Sequence, residues 1–179
     1  MVLRTTALNW KGMNPYATIA LLGLVAIVQS TVLSRADANG LYLQLMLLVV
    51  ISWSLLRGSR EGMVWGFIGG LALDLLSAGP VGLNAGLLAL AGYSAGWGEA
   101  KVFRANLALP AFIIGAITLG YALSQSMVLQ ALGHPIPWFE WFTHIILPTL
   151  VLNLVASPLV YRPLRWLSHH TGGEKLEWR

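Results

Sequence analysis

Apolar residues in this chain come in long runs separated by short polar breaks, and the runs set the predicted elements. The first, Pro15 to Leu33, follows a short segment carrying Arg4 and Lys11. It is too long for most signal-peptide cores and no small-x-small cleavage site follows it, so it reads as a retained first span. A polar turn with Arg35, Asp37, Asn39 and Gly40 leads to a second run, about Leu41 to Leu56. Arg57, Gly58, Ser59, Arg60 and Glu61 then read as a charged turn before a glycine-rich third run, Gly62 to Leu76. Ser77, Ala78, Gly79, Pro80 and Gly82 break it without any charge, and a fourth run, about Leu83 to Trp97, ends at Glu99, Lys101 and Arg104. The fifth covers about Leu107 to Leu132 and stops at Gly133, His134, Pro135, Ile136 and Pro137, because prolines that close together cannot continue a helix. A sixth, about Phe142 to Tyr161, leads into the tail Arg162 to Arg179.

A helix needs about 20 apolar residues to cross a bilayer, so spans consume nearly the whole chain. The expected fold is all-α: a polytopic membrane bundle of about six transmembrane helices. Its parts are a cytoplasmic N-terminal segment (1–14), a six-helix transmembrane domain (15–161) and a cytoplasmic C-terminal tail (162–179). Composition agrees. Of 179 residues 56% are hydrophobic and 10% charged, against roughly 25% charged in soluble domains.

The net charge of +4 is scattered in ones and twos and reads as topology, with no nucleic-acid partner. Cytoplasmic loops are richer in Lys and Arg than those across the membrane. In this layout Arg4, Lys11, Arg57, Arg60, Lys101, Arg104, Arg162, Arg165, Lys175 and Arg179 share one side, leaving only Arg35 of the 11 basic residues opposite. Both termini are therefore expected in the cytoplasm. Aromatic side chains gather at membrane interfaces. Trp53, Trp97 and Trp166 lie near the cytoplasmic charges, while Trp138, Phe139, Trp141 and Phe142 form an outer cluster between spans five and six.

Small residues let helices approach where no hydrophobic effect between them operates. Gly58, Gly62, Gly66, Gly70 and Asp74 recur every four residues, placing them along one helical stripe. The fourth span answers with Ala85, Ala89, Gly92 and Gly96, and the fifth with Ala111, Gly115, Thr118 and Ala122. A carboxylate at membrane depth costs about 2.5–3.5 kcal/mol on insertion scales unless compensated. For Asp74 the nearest compensation is the N-terminus of the fourth helix, brought close by the break at Gly79, Pro80 and Gly82, with Ser77 and Asn84 completing the cap. Contact with a partner helix and binding of a ligand are the other roles open to Asp74. Trp138, Trp141 and His144 are further partner or ligand candidates, and Asn153 is expected to satisfy a neighbouring helix. The segment Arg162 to His170 has the basic and apolar mix of a contact with membrane lipids.

Catalytic signatures are missing: the sequence contains no GxxxxGK[ST] loop, GxSxG elbow or HExxH pair, and no cysteine. The seven acids are spread over both faces, so no carboxylate pair is expected to assemble. No enzyme, metal site or cofactor is expected.

The stretch Gly66 to Gly86, GFIGGLALDLLSAGPVGLNAG, resembles the most characteristic part of the MreD family of the bacterial rod-shape machinery, or elongasome. The match consists of Gly66-Phe67, Gly70-Leu71, Asp74, and Pro80, Gly82 and Leu83 entering the next helix. Outside roughly Leu41 to Gly96 the agreement lies in hydropathy and span count. The resemblance implies a non-enzymatic scaffold in the bacterial plasma (inner) membrane, acting in cell-wall elongation, peptidoglycan synthesis and cell shape. Its implied partners are MreC most directly, the wall-synthesis glycosyltransferase with its penicillin-binding transpeptidase, and MreB at the cytoplasmic face. The hairpin is also similar to the six-helix substrate-binding subunits of energy-coupling-factor vitamin transporters, which implies uptake as the alternative. Those subunits carry alanines every four residues on the first helix, where this chain has Ala17, Leu21 and Val25.

Overall fold

The computed structural model describes residues 15–33, 43–77, 79–98, 108–133 and 135–171. The expected N-terminal segment, the turn around Arg35 and Asp37, the turn holding Glu99, Lys101 and Arg104, and the tail beyond Thr171 lie outside these residues. The described chain is helical, with no strand. Helix α1 spans Pro15–Val28 and widens into a π turn at Gln29–Leu33. It is followed by α2 (Leu45–Arg57), α3 (Ser59–Leu76), α4 (Leu83–Ala95, with a closing 3₁₀ turn Gly96–Gly98) and α5 (Ala108–Ala131). The last helix, α6, joins a first turn Trp138–Trp141, a π turn Phe142–Ile146 and a long segment Leu147–Thr171.

Helix α2 is the axis of the bundle. Every residue from Met46 to Leu55 is buried, and α2 touches all five other helices. A helix buried all round has no polar face to show. Around it the outer faces are apolar as well. Ile19 on α1, Phe67 on α3, Leu90 on α4, Phe112 on α5 and Val155 on α6 point outward, while Thr18, Asp74, Thr118, Thr149 and Asn153 are buried beside an apolar core that includes Leu22, Trp65, Leu88 and Ile114. Ala111–Ala131 and Trp138–Ser168 are long and apolar enough to cross a membrane. Tyr16–Thr31, Leu45–Arg57 and Leu83–Ala95 are apolar but shorter.

The most extensive pairing is the antiparallel hairpin of α3 and α4, and glycine makes it possible. A methyl group on Gly66 would overlap the Leu88 carbonyl and the Ala89 nitrogen, and one on Gly70 would overlap the Ala85 Cα and the Asn84 carbonyl. Gly62 and Gly92 meet backbone to backbone, and Gly96 lies on Ser59. Helix α2 closes over the same crossing, where the Ser54 hydroxyl donates to the Gly92 carbonyl. On α5, Gly115 meets the side chains of Leu150 and Leu154 at ordinary contact distance, with no backbone of another helix within 4 Å, while Thr118 and Ala122 are buried.

Several boundaries differ from the sequence reading. The charged stretch Arg57 to Glu61 is no loop: α2 ends at Arg57, α3 begins at Ser59, and Gly58 alone reverses the chain at φ 96°. Arg57 in the last turn of α2 and Glu61 in the first turn of α3 both suit the helix dipoles, so charges that looked like loop residues belong to helix ends. Helix α6 starts at Trp138, ahead of Phe142, and continues past Tyr161 to Thr171 through Pro158 and Pro163. A proline cannot bond the carbonyl four residues back. For Pro158 that carbonyl is Leu154, and the Ser157 hydroxyl donates to it at 2.8 Å. Trp53, expected at a membrane interface, is fully buried.

The hairpin makes its own test. Gly66→Ala should lose about 1–3 kcal/mol, the usual cost of overpacking, whereas Gly120→Ala, where an added methyl meets nothing, should stay within about 0.5 kcal/mol. Unfolding of the purified protein in detergent micelles measures both, and equal losses would remove the close-approach account.

Candidate functional site

Helix α3 ends at Leu76, and Ser77 takes an extended conformation that turns the chain back toward α4. Gly82 sits at φ 97°, ψ −13°, the left-handed conformation required at the third position of a type II turn, and the Leu83 N–H donates to the Pro80 carbonyl at 3.3 Å. Gly82 is also the N-cap of α4, and it has no side chain with which to cap. The first N–H groups of α4 would be left without partners.

Asp74 supplies the missing acceptor. Its carboxylate is 2% exposed; Oδ2 accepts from the Gly82 N–H at 2.9 Å and the Ala85 N–H at 3.1 Å, and Oδ1 accepts from the Asn84 N–H at 3.1 Å. An N-cap aspartate ordinarily serves one or two of these groups from within its own helix. Here the acceptor reaches across from the preceding helix, where the positive end of the α4 dipole also favours its charge. The Asn84 side chain carries the network to α5, accepting from the Tyr121 hydroxyl at 2.7 Å. Ser77 contributes only a long 3.5 Å bond to the Asp74 carbonyl.

The same device recurs at α2, whose N-cap, Gln44, makes no side-chain cap. Gln29 Oε1 from the π turn after α1 accepts from the Met46 N–H at 2.7 Å, and Asn153 Oδ1 on α6 accepts from the Gln44 N–H at 3.2 Å. Gln29 escaped sequence reasoning, and so did the capping task of Asn153. A polar amide inside an apolar run was the signal available for each.

At the opposite end of α2, Trp53 stacks on Trp65 with centroids 4.0 Å apart and planes 12° from parallel. The Arg57 guanidinium lies 5.4 Å from the Trp53 ring centre, and Trp53 Nε1–H donates to Glu61 at 3.2 Å. This cluster pins the one-residue turn at Gly58.

Among the sequence candidates at the start of α6, Trp138 and His144 are exposed, together with Phe139 and Phe142. Trp141 turns inward and donates from Nε1 to Ser126 Oγ at 3.0 Å. Beneath it lies a cavity of about 180 Å³. The structure thus brings Asp74, Gly82 and Asn84 together. Gly62, Gly66, Gly70, Gly92 and Gly96 extend from them down the hairpin, Pro80 stands on the exposed turn, and Trp138, Trp141 and His144 form a separate group. Among the described residues, no three His, Asp or Glu side chains converge as a metal site would need.

A family model described as rod shape-determining protein MreD matches residues 11–170. Neither the curated proteins nor the solved structures include a match to the chain.

Substitution at Asp74 separates charge from hydrogen bonding. Asp74→Asn keeps a carbonyl acceptor, whereas Asp74→Leu leaves three N–H groups without one, at about 1–3 kcal/mol for each group that stays buried and unpaired. The folded yield in detergent should be reduced by Asn and reduced much further by Leu; equal severity would argue against the capping role.

Proposed function

This chain belongs to the MreD family of rod shape-determining membrane proteins, and from that membership we propose that it is a non-enzymatic scaffold that binds MreC within the membrane. The family places it in cell-shape determination. In our reading it sits in the bacterial inner membrane as a bundle of six spans with both termini cytoplasmic. There it would link MreC to the wall-synthesis glycosyltransferase and the penicillin-binding transpeptidase, with MreB beneath, and so regulate peptidoglycan synthesis.

The family match over residues 11–170 carries the reading. The architecture supports it through what it leaves for a partner to touch. The turn at Gly58 is a single residue and the turn after Leu76 ends by Gly82, so these connections offer little surface. Among the described residues the larger surfaces open to partners are helix faces, which carry exposed apolar side chains on α1, α3, α4, α5 and α6. Asp74 is committed to three internal N–H groups and is a poor candidate for contact with another chain. Trp138, Phe139, Phe142 and His144 are exposed on one short stretch of α6 and are the better one. Aromatic anchors dominate binding energy at interfaces.

A vitamin-binding subunit would need a larger site. Pockets for drug-sized ligands run to about 300–1,000 Å³, and the cavity beneath Trp141 holds about 180 Å³.

Co-expression of the tagged chain with full-length MreC, followed by detergent purification, tests the proposal. MreC should copurify with the wild type, and less of it with a Trp138→Ala, Phe139→Ala double variant of normal folded yield. Tight binding of a vitamin without capture of MreC would replace the scaffold by a transporter subunit.

A further inference from the structure

The α3–α4 and α5–α6 hairpins turn at different heights. On α6, Asn153 accepts from the Gln44 N–H at the start of α2, and from there to Trp138 the helix runs outward for about 22 Å at about 1.5 Å per residue. On α5, Tyr121 bonds Asn84 in the first turn of α4, and the helix continues to Ala131, about 15 Å farther. The α3–α4 hairpin closes just above that level: α3 stops at Leu76, and Asp74 already meets the N–H groups of Gly82, Asn84 and Ala85. The α5–α6 hairpin therefore stands roughly 10 Å beyond the turn at Pro80 and Gly82.

The two turns also ask for different surroundings. The taller hairpin exposes Met127, Leu132, Phe139, Phe142 and Leu147, and from Ala108 to Tyr161 the sequence holds Glu140 but no other acid and no Lys or Arg. Such a surface belongs in hydrocarbon, with Trp138 at the interface. The lower turn needs the opposite. Ser77, Gly79, Pro80, Val81 and Gly82 are exposed on irregular backbone, and a lipid-exposed loop is not tolerated within the hydrocarbon region, where nothing pairs its N–H and C=O groups.

In a flat bilayer one of these demands fails. We propose that the outer leaflet dips beside the α3–α4 hairpin, so that headgroups and water reach the turn at Ser77–Gly82 while lipid chains still cover the taller α5–α6 hairpin. A bilayer thins to meet a short hydrophobic stretch. From Gly62, just past Arg60 and Glu61, to Leu76, α3 offers about 21 Å of apolar length against a hydrocarbon layer of roughly 30 Å, and that difference sets the depth of the dip. The inference rests on the transmembrane reading above and is independent of the capture of MreC.

The chain contains no cysteine, so single cysteines placed in the full chain carry a nitroxide label without background. In vesicles of phosphatidylcholine and phosphatidylglycerol, collision with oxygen reports hydrocarbon and collision with a water-soluble nickel chelate reports water. Labels at Met127→Cys and Phe142→Cys should favour oxygen, whereas a label at Val81→Cys should favour nickel severalfold, with the exposed Ser77→Cys as a second turn position should Val81→Cys fold poorly. Oxygen preference at the turn would mean a flat bilayer over it, and nickel preference at Met127 or Phe142 would mean that the taller hairpin stands in water. Either result overturns the proposal, as does the same preference at turn and hairpin. Phe67→Cys, on the exposed face of α3, is the control: nickel preference there would instead remove the transmembrane reading itself.

Discussion

The backbone N–H groups at the start of a helix must find acceptors, and where water cannot reach, side chains must bring them. Much of this molecule follows from that requirement. At α4 the helix opens on Gly82, which the turn demands but which cannot cap, so Asp74 enters from α3. At α2 the same shortage is met by Gln29 from α1 and Asn153 from α6. Each cap is borrowed from another helix, so forming the cap and packing the bundle are one event. A carboxylate that would be costly alone is held by three donors and a helix dipole.

Close approach of backbones makes such borrowing possible. Asp74 can reach Gly82, Asn84 and Ala85 because Gly70 and Gly66 bring α3 against α4 without intervening side chains. At the other end of the hairpin Gly62, Gly92 and Ser54 pull α2 into the same seam. The Trp53–Trp65 stack then fills the wider space toward the Gly58 turn. Small residues and large ones divide the interior by position: contact of main chains near the hairpin, contact of rings beyond it.

Much of this order was legible in the chain. The end of α3 at Leu76 and the start of α4 at Leu83 follow from proline, glycine and the ends of apolar runs. The four-residue spacing of Gly62, Gly66 and Gly70 predicts a face, and the structure puts α4 on it. What could not be read was azimuth and reach. Trp53 lies beside charges in sequence yet points inward, because its direction depends on where Trp65 sits in the next helix. Charge misled at Arg57 to Glu61, where it decorates helix ends. The end expected at Tyr161 also misled, since the helix runs on through Pro163 to Thr171. Gln29 and Asn153 announce polarity, but only the packing of the helices names their recipients.

Helix α6 runs from Trp138 to Thr171 without a break, and its segment Trp138–Ser168 counts 31 residues. At about 1.5 Å per residue such a rod is longer than the roughly 30 Å hydrocarbon layer of a bilayer, so in crossing one it would have to lean or stand proud. A single stiff lever with aromatic rings at one tip and arginines near the other turns sideways force at one end into displacement at the far end. The bends available to it are few: the widened turn at Phe142–Ile146 and the two prolines. The helix thereby forms a mechanical link running the depth of the bundle.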